Sequence, residues 1–389
     1  MRRAGSESEE RMKRREANFE LLRIVAMLMI ITLHYLDKGG ILPKAEEAFS
    51  PAGYLAWALE ALCVCSVNVY VLISAYFLAD REYQPMRAVK IWRQVLFYSL
   101  AIAVVFYVPA TITVYRVQGS VPLSTFSLYE MLHYIFPIVT EHYWFATSYI
   151  LMTLFAPLLN EGLKKLPRKQ YRLGVVFLVL LLSVSKSVLP VTLETDRLGY
   201  DAIWFLCLYL IGTYIRLREN ETAREKLRAR KPFAGYLFCS AAIFASLVIV
   251  HAFYEKTGSL AGYINRQYQY NSIFCLAASV CLFLAFQNIC IREGKLAAAI
   301  CRIAGASFGV YLIHEHLCMR YLWNQWLHTA EFADTPLFLL HWAVSIVVVY
   351  AACMCVEFGR QKLFSAVGRA AARRAQTVDR TQTEEETRE

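Results

Sequence analysis

The stretch NFELLRIVAMLMIITLHY (18–35) holds Glu20, Arg23 and His34 in an otherwise apolar run. An α-helix needs about 20 mostly apolar residues to cross a hydrocarbon core roughly 30 Å thick, so this run reads as a membrane span. The apolar residues are continuous, whereas a barrel strand would alternate. At about 100° per residue, Arg23 and His34 return to within roughly 20° of one face and stand about 16 Å apart along the axis. Glu20, Met27 and Ile30 fall on the same stripe, giving a seam with polar ends and an apolar middle that faces the bundle interior. Taken singly, Arg23 reads as a snorkelling side chain paired with Glu20 at i, i+3, and His34 as a hydrogen-bonded core histidine. An ionisable side chain in mid-membrane costs about 2.5–3.5 kcal/mol on insertion scales, and two on one face fit a reaction channel that runs through the membrane.

Further windows of the same kind lie near 54–79, 91–115, 142–160, 173–190, 201–216, 233–253, 270–289, 299–316 and 336–356. The expected fold is therefore all-α, a polytopic membrane protein of about ten transmembrane helices. One domain, 19–356, is flanked by a basic arm, 1–18, and a charged tail, 357–389, expected to be disordered. Composition agrees: 57% hydrophobic and 19% charged, with mean hydropathy +0.38, against about 45–50% and 25% for soluble domains. The net charge of +10 does not point to nucleic acid, because 32 of the 41 lysines and arginines fall on the N-terminus and every second connection. That asymmetry puts both termini in the cytoplasm. The first span has no small-residue cleavage site after it and reads as a retained anchor. No metal site is expected from the eleven cysteines, which read as packing residues. Gly212 and Gly309 are placed to permit close helix contacts. SLYEMLHYIF (127–136) reads as a helix along the outer interface.

The 18–35 segment resembles the first helix of the membrane-bound acyltransferase family three, whose hallmark is an arginine, ten residues, then a histidine. VNVYVLISAYFL (67–78) is similar to that family's second-helix segment, with Ala75 in place of the usual glycine. YWFATSYILMTLFAPLLN (143–160), LYLIGTYI (208–215) and SFGVYLIH (307–314) resemble three later helices in chain order. The resemblance implies transfer of an acyl group, usually acetyl from cytoplasmic acetyl-CoA, to a hydroxyl of a glycan or related acceptor. It implies His34 as general base, since an imidazole near its unperturbed pKa of about 6.5 suits that task. Acyl-CoA is then a co-substrate, and no tightly bound cofactor is expected.

Arg23, Ser74, Lys90 and Arg93 are the candidate donor-binding residues at the cytoplasmic side, with Glu20 supporting Arg23. Arginine forks match phosphate oxygens, which suits coenzyme A; Lys90 and Arg93 read equally as plain positive-inside charge. Trp144, Tyr311 and His314 are acceptor-side candidates; Glu130, His133, Glu141 and His142 on outer connections read first as ordinary interfacial polarity and second as sugar contacts; Ser307, Tyr311 and His314 share a face. Lys186 is expected to snorkel, and His251 and His341 to be structural. The expected partners are acyl-CoA, a hydroxyl-bearing glycan, the lipid bilayer of the cell membrane and a separate extracytoplasmic protein, with no nucleic acid. The alternative is a transporter or flippase of a lipid-linked sugar, which predicts inverted repeats and helices broken near mid-membrane; neither is visible in the sequence.

Overall fold

The computed structural model describes residues 16–81, 84, 86–107, 128–189, 197–218 and 229–386. Helix dominates these residues, and there is no strand among them. In chain order the helices are α1 Ala17–Asp37, α2 Pro51–Cys63, α3 Ser66–Leu78, α4 Met86–Tyr107, α5 Leu128–Ile135, α6 Trp144–Lys165 and α7 Arg168–Val179. There follow α8 Ser185–Val188, α9 Ala202–Arg218, α10 Arg230–Thr257, α11 Ile273–Gln287, α12 Lys295–Ala304, α13 Ser307–His314, α14 Leu322–Trp326 and α15 Phe338–Glu386. Among the described residues eight helical stretches are long and apolar enough to cross a membrane. The other two expected spans are helical as well: α6, and the 17-residue α9.

Local chemistry sets several boundaries. Ser50 opens α2 by accepting from the Gly53 amide at 3.1 Å, with Pro51 at the first position, where a missing N–H leaves nothing unsatisfied. Ser272 caps α11 in the same way through the Cys275 amide. Gly258 ends α10 in the left-handed conformation at φ 67°, which costs glycine little.

Three expected spans are not continuous α-helices. The second breaks at Val64–Cys65 between α2 and α3, and the ninth at Gly305–Ala306 between α12 and α13. In the fifth, α7 and α8 are joined by a π turn, Leu180–Val184. A break frees backbone carbonyls that lipid cannot satisfy, so neighbours must bond them. The Tyr236 hydroxyl donates to Leu62 O at 2.7 Å and Ser279 to Cys65 O at 3.3 Å. Proline is absent from both breaks, which is why hydropathy did not reveal them.

Two further expectations are corrected. The tail does not form a disordered arm, because α15 runs on to Glu386, through a stretch rich in alanine and arginine, both good helix formers. Lys186 is 6% exposed and so is buried instead of snorkelling, and its backbone carbonyl accepts from Arg266 Nε at 2.7 Å. His251 and His341 are structural as expected. His251 stacks on Phe49 at 3.9 Å and meets Glu47 O, and His341 stacks on Phe332 at 4.0 Å and meets the Tyr35 hydroxyl.

At the centre stands α1, packed on α2, α3, α11, α12, α13 and α15. Asn18 ties its start to Phe286 O, and Trp342 on α15 donates to Thr32 near its other end. α9 lies along α3, where a Cβ on Gly212 would come within 2.6 Å of Ala75 Cβ. The close approach that a glycine at position 75 would permit is therefore supplied from the facing helix. Gly309 is equally tight, against the Glu357 carboxyl. That carboxyl accepts from Tyr98 and Arg360, which clamps α4 to α15.

Candidate active site

The apolar periodicity of α1 buries Phe19, Leu22, Ala26 and Ile31, and the seam predicted from the sequence runs past them. At one end Arg23 Nη1 pairs with Glu20 Oε1 at 2.7 Å, with Glu20 nearly fully buried. At the other end His34 lines a cavity of about 870 Å³, within the usual range of roughly 300–1,000 Å³ for a small-molecule site. Met27 and Ile30 line it too, so its floor stops one helical turn short of Arg23.

His34 does not stand alone. Its Nδ1 lies 2.9 Å from His314 Nε2 and 3.4 Å from Glu315 Oε2. The other nitrogen of His314, Nδ1, is 2.7 Å from the Val310 carbonyl. A carbonyl only accepts, which assigns the His314 proton to Nδ1 and leaves the Nε2 lone pair facing His34. His34 must then donate through Nδ1, and its Nε2 keeps a lone pair: by assignment, the tautomer a base requires. Arg320 Nη2 holds Glu315 Oε1 at 2.9 Å, so the carboxyl beside His34 is itself positioned.

Trp144, Tyr311, His133, Glu141 and His142 line the same cavity. Trp144 packs with Tyr200 and Tyr270 at ring-centroid distances of 4.6 and 5.8 Å. Asn68 fixes this wall from α3, donating to Tyr270 O at 2.7 Å and accepting from Trp204 Nε1 at 3.0 Å. His314 is placed differently from its expectation as an acceptor contact: it is 1% exposed, absent from the lining, and bonded to His34. Ser307 bonds Tyr350, which removes it from the acceptor side. The Glu130 side chain lies outside the described residues.

Of the donor-side candidates, Ser74 is buried and accepts from the Tyr149 hydroxyl at 3.0 Å. Lys90 and Arg93 are exposed on the first turns of α4, apart from the cavity. Also near the Arg23 end of the bundle, Arg216 pairs with Asp80 and donates to the Tyr76 hydroxyl at 3.0 Å, a cationic position the sequence reading did not single out.

Sequence reasoning missed Glu60, Glu315 and Arg320, all of them in the cavity lining. Glu60 carried a signal, being the only acidic or basic residue between positions 51 and 78.

A family model described as an acyltransferase domain, of the acyltransferase 3 family, matches residues 16–358. No curated protein and no solved structure matches.

Proposed function

Since the chain belongs to the acyltransferase 3 family, we propose that it moves an acyl group, acetyl in the first instance, from cytoplasmic acyl-CoA to a hydroxyl of a carbohydrate docked in the cavity beside His34. The observation that carries this reading is the His34–His314–Glu315 array on the wall of a ligand-sized cavity, on the helix whose other end presents Arg23. His34 Nε2 takes the proton of the acceptor hydroxyl, and the oxygen bonds to the thioester carbonyl carbon. The C–S bond then breaks, and the departing thiolate of coenzyme A takes the proton from the His34 imidazolium. Glu315 stabilises that imidazolium from the Nδ1 side, the role a carboxylate takes beside a catalytic histidine. Arg23 pairs with phosphate at the cytoplasmic side, and the one turn from Arg23 to the cavity floor is the distance the pantetheine arm must thread.

The family supports membrane acyl transfer in general; the acyl-CoA donor, the acetyl group and the hydroxyl acceptor are this proposal. So is the orientation: both termini cytoplasmic and the cavity open to the outside of the plasma membrane. The broken second and ninth spans are what a transporter would also have. Yet at the break in the second span Leu62 O is bonded by the Tyr236 hydroxyl, and Cys65 O by Ser279 and the Val69 amide, so neither of these carbonyls is free to coordinate a coupling ion. Mass spectrometry of surface glycans from cells with and without the gene tests the reading. Loss of one acetyl unit per modified residue is expected; unchanged glycans with altered lipid-linked sugar distribution favour the transporter.

A further inference from the structure

On α2, Trp57 Nε1 and Glu60 Oε2 are buried atoms that make no hydrogen bond among the described residues. Both residues line the cavity. Standing three apart, they share a helix face and present one donor and one acceptor to the same space. Orphaned buried polar groups are rare in folded proteins and call for a reason. Cations in the lining do not provide it, since Lys38 pairs with Asp37 at 2.7 Å and Arg320 with Glu315 at 2.9 Å. A carboxyl inside a membrane span without a cation is costly to bury, and a hydroxyl bonded to it from the cavity offsets that cost.

The surroundings indicate which ligand. Trp144, Tyr200 and Tyr270 touch one another, with Tyr200 and Tyr270 ring centroids 4.5 Å apart, so they form a continuous wall with no gap at its centre. An ammonium ion would call for rings disposed around it as a cage. A wall suits the flat C–H face of a sugar ring. Tyr268 joins the wall to α2 by donating to Trp57 O at 2.9 Å and packing edge-on against the Trp57 ring at 4.8 Å. Glu60 lines the same cavity as Tyr200, Tyr268 and Tyr270.

We propose that Trp57, Glu60 and the Trp144–Tyr200–Tyr270 wall form a pyranose subsite. One sugar hydroxyl accepts from Trp57 Nε1, its neighbour donates to the Glu60 carboxyl, and the ring face stacks on the aromatics. This rests on the carbohydrate acceptor proposed above and adds how the acceptor is held: Glu60 selects which hydroxyl is left facing His34.

The test is tryptophan-fluorescence titration of the full chain in lipid nanodiscs, without acyl-CoA, using methyl glucoside, galactoside and mannoside, and tetramethylammonium as the cation probe. Wild type is expected to bind at least one pyranoside and not tetramethylammonium. Glu60→Gln and Trp57→Phe should each weaken the bound pyranoside about tenfold or more while acetyl-CoA affinity, which reports an intact fold, stays normal; if one variant does not fold, the other carries the test. Pyranoside affinity unchanged in the folded variants overturns the subsite alone. A wild type that binds no pyranoside overturns the carbohydrate acceptor and the subsite together. Tetramethylammonium binding that Glu60→Gln abolishes overturns the sugar in favour of a cation.

Discussion

At His34 the chemistry is set by neighbours far along the chain, His314 being 280 residues away. The Val310 carbonyl fixes the His314 tautomer, His314 fixes that of His34, and Glu315 waits beside the proton-bearing nitrogen. A positioned base contributes typically about 10²- to 10⁴-fold, so His34→Gln should lower acyl transfer by that factor with acetyl-CoA affinity kept. Glu315→Gln should cost roughly 10- to 100-fold in kcat and little in KM, because a hydrogen bond to a charged group is worth about 1.5–3 kcal/mol. Steady-state kinetics on both variants checks this, and a Glu315→Gln enzyme with wild-type kcat would remove the carboxylate from the mechanism. By the same magnitude Arg23→Ala should weaken acetyl-CoA binding about ten- to a hundredfold, read by titration of the purified variant. Arg23 and His34 were legible in the sequence because their cost in a membrane and their shared face are properties of one helix. Glu315 and Arg320 were not, since nothing local distinguishes them from ordinary polar residues at a span end. His314 was found but given the wrong neighbour, because helical spacing tells which face a residue is on and not what packs there.

Among the elements, hydropathy located the helices well and their interruptions poorly. Each of the ten expected windows is mostly helix where it is described, with 108–115 of the third and 190 of the fifth outside the described residues. The breaks at Val64–Cys65 and Gly305–Ala306 leave the apolar average untouched, and Tyr236, which bonds the Leu62 carbonyl at the first, comes from another span. Close packing of α9 on α3 was foreseen at Gly212, while its pairing with Ala75 is a tertiary fact. Gly212→Leu should therefore force the two helices apart and destabilise the protein by about 1–3 kcal/mol, the usual cost of overpacking a core. Thermal unfolding in nanodiscs should show a lowered Tm, with a smaller loss in Gly212→Ala. An unchanged Tm for the leucine variant would mean the helices are not held at that distance.

For the whole molecule, the arrangement is a bundle around one central helix with Arg23 toward one end and His34 in a cavity toward the other. In the orientation proposed from the positive-inside asymmetry the Arg23 end faces the cytoplasm, and the proposed donor and acceptor then meet from opposite sides of the membrane. Sidedness thus tests the central claim most directly. Protein is reconstituted in sealed vesicles, its orientation established by protease access to the C-terminal tail, with labelled acetyl-CoA confined to the compartment that the tail faces and a pyranoside acceptor to the other. Wild type is expected to label the acceptor across the bilayer while coenzyme A stays behind, and His34→Gln to lose that labelling. Labelling only when acetyl-CoA and acceptor share a compartment, or equal labelling by His34→Gln, would contradict transfer through the membrane at His34.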